Sequence, residues 1–387
     1  MTPSHDSASG GPEGSLAAVL AAGPVKLRGD NYTPLSRTPW AGDMIARCIK
    51  AQSGHSSAGQ RIGEAWDFSA GPEFPTRLDG DYPDGALTLG DIVTRAPQAA
   101  LGHAYAKAGC EILVKLINAR QPLSFQVHPA DGHPALQSGD CGKPESWLVL
   151  AAEPGAGIYA GFSRGMSKTE VRRILESGTF DAGDMQFLPV AEGDWFEIAP
   201  GVPHAVGPGV LLVEPQRVLR GRAGKTWRLW DWDRRYVGQE ESPLGQPREL
   251  HVEAALGIID PERQWGVDFA RAQRRLAQFR HTELPGGGTC DVWEYGTARD
   301  PLNPWYKTAR VKLSGGVRCQ VVIADGYGAL LMTRGQLASP GVSPVLLTAG
   351  DPALLPAACK RFEFVAAGVG AEFVLTTPAS APLDIRS

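Results

Sequence analysis

Nowhere in the 387 residues does an apolar run approach the roughly 18–20 residues that a membrane-spanning helix needs, so no such anchor is expected. Excess positive charge is missing as well. Lys and Arg total 38 against 42 Asp and Glu, a formal net charge of −4, which provides no whole-chain basic footprint for nucleic acid or an anionic membrane. The expected partner is a small molecule. No two of the six cysteines, at 48, 110, 141, 290, 319 and 359, make a C-x-x-C pair. Scattered in a chain of this size, they are expected to be reduced thiols of a cytoplasmic protein. Residues 1–28 have neither the basic stretch nor the apolar core of a secretory signal. Their Ala, Gly, Ser and Pro content reads as a flexible tail.

What is plentiful is punctuation. Forty-seven glycines and 31 prolines separate many short apolar runs, the pattern of strands joined by turns, so the fold class is mainly β with a few short helices. Thr88–Arg95 and Ser167–Glu176 carry helix-start signals, Thr88-x-x-Asp91 and Ser167-x-x-Glu170, ahead of apolar stripes. Glu249–Ile259 has helical spacing and stops at Asp260-Pro261. Two β-rich blocks, about 110–216 and 305–378, flank this last helix. Ala349-Gly350-Asp351 echoes Glu192-Gly193-Asp194 as a weak internal repeat, and Asp325-Gly326 reads as a hairpin turn. The expected division is a tail 1–28, a metal-binding unit 29–258, a connector 259–304 and a second, metal-free unit 305–387.

In Leu123-Ser-Phe-Gln-Val-His-Pro129 a strand puts Ser124, Gln126 and His128 on one face, and Pro129 ends it. In Lys143-Pro-Glu-Ser-Trp-Leu-Val-Leu150, Glu145 shares a face with Trp147 and Val149. Buried alone, such a carboxylate costs several kcal/mol; a divalent cation removes that cost. A strand and tight turn, Gly193 to Gly207, then deliver His204. Gln126, His128, Glu145 and His204 together make a mixed N/O set that suits a catalytic zinc. Each alone has a plainer reading as a hydrogen-bonded barrel residue or a surface carboxylate. The remaining histidines, at 5, 55, 103, 133, 251 and 281, fall into no comparable pattern.

These segments, with Gly63-Glu-Ala-Trp66, Leu113 to Pro129, Gly142 to Trp147, Pro200 to Gly207, Leu212-Val-Glu-Pro-Gln216, Thr226 to Arg234 and Leu250 to Leu256, resemble the type I mannose-6-phosphate isomerases, especially the short bacterial form. The resemblance runs from about Pro39 to Ile259 and continues more weakly to the C-terminus. It implies two cupin-type (jelly-roll) β-barrel units. It also implies one zinc on Gln126, His128, Glu145 and His204, and reversible conversion of mannose 6-phosphate and fructose 6-phosphate through a cis-enediol. Lys115, Lys143, Arg228 and Glu214 match family residues near the active site. The two lysines also read as solvated rim lysines, and Glu214 as a strand-end ion pair.

Departures from the family pattern are local. The segment between Glu214 and Arg228 is about four residues longer than usual and carries Arg217, Arg220, Arg222 and Lys225. Arg217 and Arg220 are therefore either a phosphate grip or a solvated loop. A metal cupin that binds a sugar or sugar acid without catalysis, and an isomerase of another sugar or its phosphate, are the competing readings.

Overall fold

The chain is described from a computed structural model, over residues 12–53, 59–80, 86–238, 240–296, 303–341 and 343–387. The strands that frame the site are β1 (Val25–Lys26), β2 (Glu64–Phe68), β3 (Ile112–Ala119), β4 (Phe125–Val127), β5 (Asp140–Cys141), β6 (Glu145–Ala152) and β7 (Gly157–Phe162). They continue with β8 (Met185–Pro189), β9 (Trp195–Ile198), β10 (His204–Val206), β11 (Val210–Arg217), β12 (Ala223–Gly224) and β13 (Trp227–Trp230). The fold is mainly β.

β3 is buried at every position, as befits a strand covered on both faces. It lies in a six-stranded sheet ordered Arg274–Arg275, β9, β6, β11, β3, β2, which faces a five-stranded sheet ordered β13, β4, β10, β7, β8. Between them Ile117, Trp147, Val149 and Leu212 meet Ile158, Ala160 and Val206. The other side of the six-stranded sheet, with Ala65, Val114, Leu116 and Val213, packs on Leu331, Leu354 and Val374 of a ten-stranded sheet. That third sheet has its own interior, which includes Val311, Phe362, Phe364 and Phe373. Because side chains alternate along a strand, β3 sends Ile112, Val114 and Leu116 outward and leaves Leu113, Lys115 and Ile117 for the inner side. Lys115 is thereby carried into an apolar layer by its neighbours.

Two of the three expected helices have the expected bounds. Leu89–Arg95 starts at Thr88 with a reciprocal capping box to Asp91. Lys168–Glu176 is capped by Ser167, but the Glu170 carboxylate accepts from Arg164 Nη2 at 2.7 Å. The third is shorter, Val252–Ile258. The His251 N–H donates to the Arg228 carbonyl at 2.7 Å and ties the preceding residues to β13.

The structure departs from the expected tail: Pro12–Ala22 is a helix and β1 pairs antiparallel with Pro352–Leu355. Leu16 and Leu20, four apart and so on one helix face, are buried with Val25 and Leu27. The ten-stranded sheet also begins earlier than the second β-rich block, with Gln278–Glu283 at its edge paired to Thr289–Tyr295. Asp325-Gly326 is a turn, with Asp325 at φ +50°, but the strands on either side of it, Arg318–Ile323 and Gly328–Ser339, pair with other strands. It turns a corner rather than closing a hairpin. The internal echo recurs in the backbone. Gly193 and Gly350 have φ of +91° and +93°, and the Asp194 and Asp351 N–H groups donate to Ala191 and Thr348 carbonyls at 3.1 and 2.9 Å. Each Asp carboxylate accepts the amide three residues back, at 3.0 and 2.7 Å. Among the described residues no helix is long and apolar enough to cross a membrane.

Candidate metal centre and active site

Register brings the chemical groups together. In the five-stranded sheet Gln126 of β4 stands opposite His204 on one side and Arg228 on the other. In the facing sheet Glu145 stands opposite Gln216, and Glu214 opposite Lys115. His128 directly follows β4, and Pro129 comes next and stops the strand from continuing. Gly201, at φ +88°, turns the chain and donates its N–H to the His128 carbonyl at 2.8 Å, so that β10 starts on His204.

The ligand atoms of His128, Glu145 and His204 all lie within 4.8 Å of one another, and all three residues are buried. Glu145 Oε2 is 3.2 Å from His128 Nε2, and Oε1 is 3.3 Å from His204 Nε2. The His128 Nδ1–H donates to the Lys225 carbonyl at 3.1 Å and the His204 Nδ1–H to the Val202 carbonyl at 2.8 Å. This pairing puts a proton on Nδ1 in each ring and turns both Nε2 atoms inward. Burial, with the Lys143 ammonium adding to it, pushes the His128 pKa down to about 3, so the ring is neutral at physiological pH. Burial alone would raise the Glu145 pKa. The Lys143 ammonium outweighs it and holds the carboxyl well below its ordinary range. Glu145 Oε1 is buried without a hydrogen-bond partner. Two imidazole Nε2 atoms and an ionised carboxylate with a spare oxygen fit a divalent cation of the zinc type.

Gln126, half buried, is arranged differently. Its Oε1 accepts from Ser124 Oγ at 3.1 Å, and its Nε2 is the atom 3.5 Å from His204 Nε2. To offer oxygen to a metal the amide must turn over, which the Ser124 hydroxyl tolerates because it can accept as well as donate.

A cavity of about 380 Å³ opens over this group, lined by Gln126 and Lys143, by Lys115 and Glu214, and by Arg228. Lys143 Nζ is 2.9 Å from Glu145 Oε2 and 3.3 Å from His128 Nε2. Burial disfavours its charge, but Glu145 and Glu214 outweigh burial and raise its pKa, so it stays an ammonium. Lys115 Nζ is 3.2 Å from Glu214 Oε2 and 4.4 Å from the centre of the Trp66 ring. Burial, then the charge of Glu145, raises the Glu214 pKa to about 7 against the opposing pull of Lys115 and Lys143. Arg228 has its Nε buried without a hydrogen-bond partner, and burial followed by Arg248 lowers its pKa.

The lengthened segment divides. Arg217 is 3.2 Å from Glu111, pairs with Asp131 and lies over the Trp305 ring, while the Arg220 stem packs on Gly109. Neither lines the cavity, whereas Arg222 and Lys225 do. Sequence reasoning gave no role to Glu64, Trp66 and Arg37, which also line it. Trp66 Nε1–H donates to Glu64 Oε2 at 2.8 Å, and the Arg37 guanidinium lies 5.3 Å from the Trp66 ring centre. The period-2 spacing of Glu64 and Trp66 is a signal that could have placed them on one face. Arg37 carries none.

No family model matches the chain. In sequence it is 25% identical over 326 residues to the mannose-6-phosphate isomerase of Streptococcus mutans, a match covering 84% of this chain and 91% of that protein. In fold it is similar to the mannose 6-phosphate isomerase of Bacillus subtilis, with a TM-score of 0.67 and 20% identity over 92% of this chain and 99% of that one. A mannose 6-phosphate isomerase solved with zinc and yttrium is similar too, at a TM-score of 0.62 and 13% identity over 92% of this chain and 99% of that one.

Proposed function

We infer that this chain, a member of the mannose-6-phosphate isomerase family, is an aldose–ketose isomerase that interconverts mannose 6-phosphate and fructose 6-phosphate. The observation that carries the reading is the buried His128–Glu145–His204 group beneath a cavity whose wall also holds Glu214, a carboxylate with a pKa near neutrality. His128, Glu145, His204 and a turned Gln126 would hold one zinc ion. When bound, it supplies a Lewis acid for negative charge on the sugar oxygens.

The rest is work for the chain's own side chains. Aldose–ketose exchange removes a proton from C2 and returns one to C1 through a cis-enediol. Glu214, with a pKa of about 7, can take that proton and give it back, whereas Lys143 stays charged and serves as a fixed positive group beside the developing enediolate. Lys115, 3.2 Å away, orients the Glu214 carboxylate. Of the cationic side chains on the wall, Lys115, Lys143, Lys225, Arg37 and Arg248 face carboxylates. Arg222 and Arg228 form no ion pair among the described residues, and they are the groups left to take the phosphate.

The two repeated turns support reading the β-rich blocks as two cupin-type jelly-roll units, 29–258 and 305–387, the second extended into the expected connector 259–304 by the strands Gln278–Glu283 and Thr289–Tyr295. A coupled isomerase assay on mannose 6-phosphate, repeated with mannose and glucose 6-phosphate and after chelation and zinc return, tests the function. Zinc-loaded protein that is silent on mannose 6-phosphate overturns it.

A further inference from the structure

Between β11 and β13 the chain runs along the cavity rim as a strap, Leu219–Thr226. β12 within it pairs in parallel with β5, through the Ala223 N–H to the Gly139 carbonyl at 2.9 Å and the Lys225 N–H to the Cys141 carbonyl at 3.0 Å. The same strand partner holds its side chains. Lys225 Nζ is 3.0 Å from Asp140 Oδ2, and Arg222 Nη1 reaches the Asp140 carbonyl at 3.4 Å.

Two inward contacts give the strap its purpose. The Lys225 carbonyl is the acceptor for the His128 Nδ1–H. Gly224 lies flat against the Lys143 stem: a Cβ added there would stand 3.0 Å from Lys143 Cγ and 3.2 Å from its Cβ and Cδ, its three nearest neighbours. Gly224 is not at positive φ, so close approach, not backbone conformation, is what its missing side chain serves. A lysine stem has several free rotors, and close packing against Gly224 restricts them.

We propose that this strap is a positioning element: Gly224 sets the reach of the Lys143 ammonium, and the Lys225 carbonyl fixes the proton of His128. The proposal rests on the isomerase reading for its kinetic consequence, but not for the placement of Lys143.

Gly224→Ala is the discriminating variant. Its methyl group must displace the Lys143 stem by a few tenths of an ångström, and misplacement on that scale is costly to a group acting in the transition state. The full-length, zinc-loaded variant should lose about tenfold in kcat on mannose 6-phosphate, with KM within about twofold of the parent. Bound zinc and melting temperature should stay at the parental level. Gly139→Ala, on the neighbouring strand end with nothing within 4 Å of an added Cβ, should keep parental kinetics. A crystal structure of Gly224→Ala should show Lys143 Nζ moved relative to Glu145.

Lys143 unmoved in that crystal, or a kcat loss matched by lost zinc, overturns the strap's role. A parent without isomerase activity overturns the proposed function instead. The crystallographic comparison then still decides the strap.

Discussion

Glu145 and Glu214 lie on the inner faces of neighbouring strands, are equally buried, and differ in charge because of what surrounds them. Lys143 holds Glu145 ionised, while burial and the charge of Glu145 lift Glu214 to about 7. Glu214 must be ionised to accept the C2 proton, so kcat/KM should climb as pH rises through this region. Glu214→Gln should remove that limb and lower kcat by about 10²-fold or more. Parental turnover in the variant would take Glu214 out of the reaction. The shift also has a thermodynamic sign. The folded state holds this proton more tightly than the unfolded chain, whose Glu titrates near about 4.3. Its stabilising contribution is therefore complete below that pH and lost as pH rises through about 7. In chelator-treated protein, denaturant titrations should show Glu214→Gln gaining stability over the parent as pH is raised from about 5 to about 8.

Side chains of the metal group should separate from those of the cavity wall by what they cost. His128→Ala and Glu145→Ala should lose both zinc and turnover, read by elemental analysis and assay, because the remaining donors hold a cation poorly. Arg228→Ala should keep its zinc and raise KM for the phosphorylated sugar. An Arg228→Ala protein depleted of metal would show that the arginine braces the fold instead.

At the scale of elements, the end of β11 and the strap that follows it present arginines to two sides with different duties. Arg217 is taken by Glu111 and Asp131 and Arg220 packs on Gly109, so Arg217→Ala with Arg220→Ala should leave the ratio of kcat/KM for mannose 6-phosphate over mannose unchanged. Arg222→Ala should lower that ratio by about tenfold, since a remote anion contributes only when the substrate carries it. Equal ratios in all three would place phosphate recognition on Arg228 alone. An arginine count from Arg217 onward could not have told these residues apart. Which ones turn inward depends on a parallel pairing with Asp140–Cys141, more than 80 residues earlier in the chain. Metal-ligand candidates were more legible because period-2 alternation and the prolines after His128 and before His204 are local signals. The edge strand Gln278–Glu283 was illegible for the opposite reason: Gln-Phe-Arg-His-Thr-Glu is polar and exposed, so only its neighbour makes it a strand. Leu16 and Leu20 were hidden in an Ala- and Gly-rich stretch where a single apolar pair decides the packing.

The whole molecule is tied across its sheets by charge as well as by apolar area. Lys50 Nζ is 2.6 Å from Asp67 Oδ1 of β2 and 2.6 Å from the Gly350 carbonyl of the repeated turn, with both side chains at 0% exposure. Lys50→Met leaves Asp67 buried without its cation and should cost about 3–5 kcal/mol in denaturant unfolding. Replacing both by apolar residues of similar volume should cost less than the single change. A single variant as stable as the parent would mean that the pair is no tie.

Tyr306, buried in the ten-stranded sheet, reaches the other way. Its Oη–H donates to the Pro215 carbonyl at 2.9 Å and lies 2.8 Å from Ser146 Oγ, the residues next to Glu214 and Glu145. One phenol thus holds the Pro215 backbone beside Glu214 and the Ser146 hydroxyl beside Glu145. For the gene, this makes the segment from Tyr306 to the C-terminus hard to discard: a stop codon ahead of Tyr306 would loosen both acidic strands at once and bare the apolar layer beneath them. Drift can repaint that segment at its exposed loops, but the Tyr306 hydroxyl links it to the strands that carry Glu145 and Glu214.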